Sequence, residues 1–238
     1  MNSVILVGNG LSGKDHEFGD FIDSHDTVVR FGWYDNNLER SKKYTGSKTD
    51  IWVTAQYDPV RAKQKYDCIF QYSFLPGAYD EVFRNIGRTQ EEQPGESAPI
   101  FRPFDRLWID VENYLKQKRS RTGTFTCSMK QPEEYPKWSS LSVFAWLLLH
   151  HGGERGDHLY RDPDSGEWNA VPLVEQISVY GFDWWSPGDK DRKFSVDGPE
   201  VGKRYEPIIE FDFFGNLWMD GKIRDLHPDS EFHNEPRK

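Results

Sequence analysis

Ser3-Val-Ile-Leu-Val-Gly-Asn-Gly-Leu-Ser-Gly13 is the stretch from which the fold can be read. Ser3–Val7 is a short apolar run rich in β-branched side chains, which reads as a buried strand. It stops abruptly at Gly8, and Gly8, Asn9, Gly10, Leu11, Ser12 and Gly13 form a turn of mostly small residues. Such a turn leaves backbone N–H groups able to hold phosphate oxygens. Asp20–Asp26 follows, and then Thr27-Val-Val-Arg-Phe31 is a second β-like run. Strand, glycine-rich turn and strand at this spacing open a nucleotide-binding α/β sheet. Every α/β protein also needs a tight turn after its first strand, so the glycines alone do not name a ligand.

Gly8-x-Gly10-x-x-Gly13 matches the dinucleotide fingerprint letter for letter. That fingerprint also requires an acidic residue about 20 positions further on, at the end of the second strand. Arg30, Phe31 and Gly32 occupy that place, and Asp35 arrives late. Lys14, Asp15, His16 and Glu17 stand where a dinucleotide fold packs an apolar helix face against its sheet. An NAD(P)-binding oxidoreductase is therefore the weaker reading of the turn.

Further along, Ile51–Thr54 and Asp67–Tyr72 read as strands, Pro59–Lys65 as a short helix and Ala78–Ile86 as a longer one. Residues 88–99 are polar, with Pro94 and Gly95, and read as an exposed loop. Leu107–Lys118 is amphipathic, with Leu107, Val111, Tyr114 and Leu115 on one face. Four cations between Lys116 and Arg121 read as a solvated helix end sooner than as a clamp for an acidic substrate. Ser139 or Ser140 suits the N-cap of a helix running to His151, apolar nearly all round and hence buried against a sheet. Gly152-Gly153 ends it. An insertion at 154–169 precedes a strand at Gln176–Asp183, then come a helix to Met219, a strand at Gly221–Arg224 and a polar tail at 227–238.

The chain has 238 residues, the right size for one α/β domain with insertions. Its 36% hydrophobic content is low, but 9 Trp, 11 Tyr and 16 Phe supply bulk for a core. A net charge of −9 argues against nucleic-acid binding, which calls for a basic face. Cys68 and Cys127 are too few for a disulfide framework, so both are expected as thiols in a reducing compartment. The organising strand begins at Ser3, which leaves no room for a leader. The longest apolar run, Val143–Leu149, is far short of the ~20 residues that span a bilayer. The expectation is a cytoplasmic chain without an integral membrane segment. No D-x-D, H-x-x-H or cysteine cluster is present, so no metal and no other cofactor is expected.

A wider set of residues resembles one family. Val4-Ile-Leu-Val-Gly-Asn-Gly10, Ile22-Asp-Ser-His-Asp-Thr-Val-Val-Arg-Phe31 and Gly46-Ser-Lys-Thr-Asp50 are similar, in order and spacing, to the long sialyl motif of glycosyltransferase family 29. Gly32 departs from it, standing where the family has an asparagine. Ser139, Ser140 and His150, with the following Tyr180-Gly-Phe-Asp183, resemble the short sialyl motif, although Trp138 and Leu141 replace its proline and glycine. Arg121-Thr-Gly-Thr124 is the competing placement. Tyr205-Glu-Pro-Ile-Ile-Glu210, followed by Gly221-Lys-Ile223, resembles the terminal H-x-x-x-x-E motif, with Tyr205 in place of the histidine.

The resemblance implies a single-domain, Rossmann-like α/β fold, a GT-A variant with a mainly parallel sheet flanked by helices. It further implies an inverting transfer of a sugar acid, sialic acid or Kdo-like, from a donor activated by cytidine monophosphate (CMP) to a glycan acceptor, without metal. By this resemblance Asn9 and its flanking Gly8 and Gly10 would contact the donor phosphate and ribose, with Ser12, Ser139, Ser140 and Gly181 completing the donor site; Arg30 would either neutralise charge there or, from its strand position, form a structural ion pair. Tyr205 and Glu210 would take the catalytic positions. A tyrosine, with an ordinary pKa of about 10, is a poor general base at neutral pH. Seven histidines are available to replace it, and none is singled out; for His227 and His233, in the polar tail, exposure is the default. Tyr205 also supports a second reading, a nucleotide- or carbohydrate-binding protein of the same fold that does not turn over. The aromatic group Phe182, Trp184 and Trp185 suits either an acceptor sugar or the core.

Overall fold

The computed structural model describes residues 3–32, 34, 38–54, 57–71, 78–92, 100–101, 111, 113–114, 117, 140–150, 160–161, 168–169, 174–182 and 207–228. Its centre is a seven-stranded, wholly parallel sheet. The strands are β1 (Val4–Val7), β2 (Thr27–Phe31), β3 (Ile51–Thr54), β4 (Cys68–Gln71), β5 (Ile100–Phe101), β8 (Ile177–Tyr180) and β9 (Ile223–Asp225). They lie in the order β5-β4-β3-β2-β1-β8-β9. Between β5 and β8, inside the expected insertion, β6 (Tyr160–Arg161) and β7 (Trp168–Asn169) pair as a separate antiparallel hairpin. β1, β3 and β4 are buried along their whole length, which is why they read as continuous apolar runs.

Side chains alternate across the strands, so the sheet has two cores. Val4, Leu6, Val29, Phe31, Ile51, Val53, Phe70, Ile177 and Val179 face one side. There they meet α4 (Ser140–His150), buried from Leu141 to Leu149, and Phe213, Phe214, Leu217 and Trp218 of α5 (Pro207–Met219). Burying one Leu or Phe side chain is worth about 2 kcal/mol, so α4 is held by tertiary contact more than by intrinsic propensity. Val111 and Tyr114, from the amphipathic segment, pack on this same side, and Cys68 lies in it as a buried thiol.

On the other side, Ile5, Val7, Val28 and Tyr180 cover Ile22 of α1 (Gly19–Asp23). Trp52 and Ile69 cover Ala62 and Ile86, the latter from α3 (Ala78–Glu91). α2 (Leu38–Thr45) joins β2 to β3, and its Thr45 carbonyl accepts from Arg30 of β2. Strand order explains the two layers. From β1 the chain steps outward to β5, then returns to β8 on the other side of β1 and continues to β9. With crossovers of one hand, a reversed step puts the connecting helix on the opposite face.

Several boundaries moved. α3 runs on to Glu91, so the polar stretch read as a loop from 88 begins after the helix. Thr89 is buried there, bonded to the Tyr57 hydroxyl at 2.5 Å, an anchor the exposed-loop composition hides. The helix expected at Pro59–Lys65 is a single 3-10 turn, Arg61–Lys63, and the last strand is shifted to Ile223–Asp225. No helix among the described residues is long and apolar enough to cross a membrane. Cys127 lies outside the described residues.

The amino end of the sheet is tied by polar groups. Asp26 accepts from the Ser3 N–H at 2.7 Å and the Ser3 hydroxyl at 2.9 Å, joining the chain ahead of β1 to that ahead of β2. Asp23 accepts from the N–H groups of Ser47 and Lys48, both at 2.9 Å, and from the Ser47 hydroxyl. Lys48 donates to the carbonyls of His25 and Asp26 and pairs with Asp50 at 3.2 Å. Asp50 in turn accepts from the Val28 N–H at 2.7 Å. Gly46 has a φ of +72°, and a Cβ there would strike the Asp23 carboxylate, so only glycine fits.

Candidate functional site

The reversal of strand order between β1 and β8 leaves a crevice outside their carboxyl ends, the place where open α/β sheets take ligands. Gly8 leaves β1 there and Gly181 leaves β8. The two turns lock together: the Gly8 N–H donates to the Tyr180 carbonyl and the Gly10 N–H to the Gly181 carbonyl, both at 2.8 Å. These two N–H groups are therefore committed to β8 and are not open to a phosphate, a correction to the simplest reading of the glycine turn. The glycines serve close backbone approach. A Cβ on Gly8 would collide with the Gly181 carbonyl oxygen and lie 2.6 Å from the Phe182 ring. Gly181 has a φ of +73°, and a Cβ on it would lie 3.1 Å from the Gly8 oxygen and 3.3 Å from the Gly13 Cα. Phe182 packs between this contact and the core, edge-on to Phe31 at 6.1 Å, so it serves the core. Trp184 and Trp185 lie outside the described residues.

Asn9 stands at the rim of the crevice. Its Nδ2 donates to the Phe31 carbonyl at 2.8 Å, which ties the end of β1 to the end of β2 and fixes the amide in place. Ser12 lies in a one-turn 3-10 helix, Leu11–Lys14, with its hydroxyl oxygen shielded from solvent. Gly32, just past β2, has a φ of +49° and open space where a Cβ would stand. Its backbone is held from both sides, by the Val53 carbonyl at 2.7 Å and the Trp52 indole N–H at 3.0 Å.

Arg30 is not at the crevice rim. It is buried on the α1–α2 side, with Nε donating to the Lys48 carbonyl and the Thr49 hydroxyl, each at 3.0 Å, and Nη2 to the Thr45 carbonyl at 2.7 Å. Burial pulls its pKa down to about 10, with Asp23, Tyr34 and Asp50 acting the other way. It remains charged at neutral pH and clamps the end of α2 to β2.

Two helix starts reach the same end of the sheet. The Leu148 carbonyl near the end of α4 accepts from Val174, just ahead of β8, at 3.0 Å. The chain leaving α5 pairs with the start of β8, through Ile177 N–H to the Lys222 carbonyl at 2.9 Å. Both helices therefore end at the amino side of the sheet. At about 1.5 Å per residue, they are long enough to start at its carboxyl side. Ser140 opens α4, and Glu210 lies in the first turn of α5. Both helix dipoles then have their positive ends at the carboxyl end of the sheet, where they favour an anion. Ser139 and Tyr205 lie outside the described residues, as does Asp183.

A second group at this end was not singled out from sequence. His227, two residues past β9, has a side chain only 12% exposed, and its Nε2 lies 3.3 Å from Asp15 Oδ2. Its ring stacks near Tyr180, with centroids 6.2 Å apart, and meets His16 edge-on at 5.1 Å. The Tyr180 hydroxyl donates to the His16 carbonyl at 3.1 Å, and burial pushes its pKa up to about 12, so it stays a neutral donor. The available signal was position: a histidine directly after the carboxyl end of a parallel strand. The polar tail around it argued for exposure instead.

No protein-family model and no curated protein matches the chain. Its fold is similar to that of solved mammalian sialyltransferases. One such crystal structure superposes with a TM-score of 0.54 at 16% identity, covering 95% of this chain and 69% of the other. A mammalian sialyltransferase in complex with Gal-beta-1-3GalNAc-ortho-nitrophenol superposes with a TM-score of 0.51 at 15% identity, with the same coverages. The chain thus has a single parallel α/β sheet, flanked by helices, of the sialyltransferase kind.

Proposed function

We propose that the chain is a glycosyltransferase that moves a sugar acid, sialic acid or Kdo-like, from a CMP-activated donor to a glycan acceptor with inversion. One observation carries the reading. The turn after β1, the start of α4 and the start of α5 each carry part of a sialyl-like motif, and all belong to the same end of one parallel sheet. In the proposed step, the bond from the anomeric carbon to the phosphate oxygen breaks, and CMP leaves with the electron pair. The acceptor oxygen bonds to that carbon from the opposite side and gives its proton to a base. The leaving phosphate is met by Asn9, Ser12, Ser139, Ser140 and the positive ends of α4 and α5, because preorganised dipoles stabilise developing charge best. Tyr205 and Glu210 take the acceptor side.

A transferase-like protein that binds without turnover is the second reading, favoured by Tyr205 in the position of the base. Dinucleotide binding fits worse. The pyrophosphate of such a cofactor rests on a helix that follows the glycine turn. Here a single 3-10 turn and the five-residue α1 follow it, and β2 ends in Phe31 and runs into Gly32 without an acidic residue.

The deciding experiment is a thermal-shift titration with CMP against UDP and NADH, followed by assays of CMP release from CMP-sialic acid and CMP-Kdo. A melting-point rise with CMP alone supports the donor site, since ligand binding to the native state raises it by mass action. A rise with NADH and none with CMP overturns it. CMP binding without release by the native chain, with release gained in Tyr205→His, assigns the chain to the non-catalytic reading.

A further inference from the structure

The turn after β1 is held from an unexpected direction. Lys14 ends its 3-10 helix, and Asp15 and His16 follow directly. Asp15 meets His227, 212 residues away in sequence, from beyond β9. β9 is the edge strand, separated from β1 by β8. His227 is itself placed by its own strand, since its N–H donates to Asp225 Oδ1 at 3.0 Å. Its ring then lies between His16 and Tyr180, so the exit of the turn is gripped by β8 and β9 together. The described residues contain no group of three His, Cys, Asp or Glu side chains able to hold a metal ion, so this group is not a metal site.

We propose that His227 is a positioning residue for the ligand-binding turn, latching it through Asp15 to the carboxyl end of β9. Asp15 and His16 come from the turn, Tyr180 from β8 and Asp225 from β9, so the contacts of His227 join three separate segments. A side chain held on several sides loses little further freedom when it makes the bond to Asp15, which favours a persistent contact. The latch rests on the donor-site reading only for its effect on ligand affinity.

The test compares the wild type with Asp15→Asn, His227→Gln and the double variant at one pH. Hydrogen exchange of the amides of residues 10–16 reads the latch in the protein without ligand. CMP affinity, taken as the variant-to-wild-type ratio, reads its consequence. Each single variant should exchange about three- to fivefold faster and bind CMP weaker by the same factor, the range of a partly exposed ion pair. The double variant should be no worse than either single one, because both remove the same contact. His227→Phe, which keeps a ring against Tyr180, should behave as His227→Gln does. Turn amides unmoved by Asp15→Asn overturn the proposal, as do losses that add in the double variant. Should His227→Gln not fold, Asp15→Asn carries the test, since Asp15 is 58% exposed. Failure of the wild type to bind CMP removes the donor-site reading, while exchange still decides the latch.

Discussion

The two ends of the central sheet are built from different chemistry. At the amino end, Asp23, Asp26, Lys48 and Asp50 hold the chain ahead of β1, β2 and β3 through charge-assisted bonds to backbone groups. At the carboxyl end, glycines press backbone on backbone, and Asn9 makes a single side-chain tie across to β2. Most of the charged residues that make the long sialyl-like motif recognisable belong to the first end. Their presence reports a way of holding three parallel strands, not a ligand. The small residues at the second end shape the crevice, and there the sequence departs from the family, at Gly32. Likeness in the amino-end residues is thus evidence about fold, and only carboxyl-end residues bear on function.

Substitutions can break this division, and the largest effect is expected at Gly8. Gly8→Ala drives a Cβ into the Gly181 carbonyl, which cannot rotate away, so a loss of about 3 kcal/mol is expected in urea unfolding. A native-like midpoint would mean that the β1–β8 contact is slack. Asp23→Ala leaves the N–H groups of Ser47 and Lys48 without their acceptor and should cost about 2 kcal/mol. CMP binding measured below the melting point should persist in that variant; its loss would join the two ends that the comparison separates. Asn9→Ala reverses the pattern. Removing one hydrogen bond costs only about 1 kcal/mol, yet the CMP-induced thermal shift should vanish.

Asp26→Asn tests the amino end by pH and should have the smallest effect. The N–H and hydroxyl of Ser3 hold the Asp26 carboxyl below its ordinary 3.8. A depressed acid adds stability above the unfolded-state value and loses it as pH falls through the folded one. The wild type should therefore lose stability below pH 3.8 more steeply than Asp26→Asn, read by circular dichroism during acid titration. Parallel curves would show that the Ser3 contact does not persist in solution.

Strands and buried helices were legible because burial on both faces leaves unbroken apolar runs: β1, β3, β4 and α4 fall within a few residues of where the sequence puts them. α3 was cut short because Arg88, Gln90 and Glu91 look like loop, while the contact that holds Thr89 comes from Tyr57, distant in sequence. Arg30 shows the same limit in the site. Its charge invited a phosphate, but its strand position turns it toward the end of α2. His227 was hidden for the converse reason, since a polar tail says nothing of the Asp15 and Tyr180 it meets.

By itself the sequence determined the strands, the glycine turn and the α/β class, because apolar runs and small-residue turns are local signals. Only the tertiary structure decided which glycine N–H groups are spent on β8, where the Arg30 guanidinium points and what His227 touches. Those contacts join segments from 15 to more than 200 residues apart, and no local pattern encodes a partner at that distance.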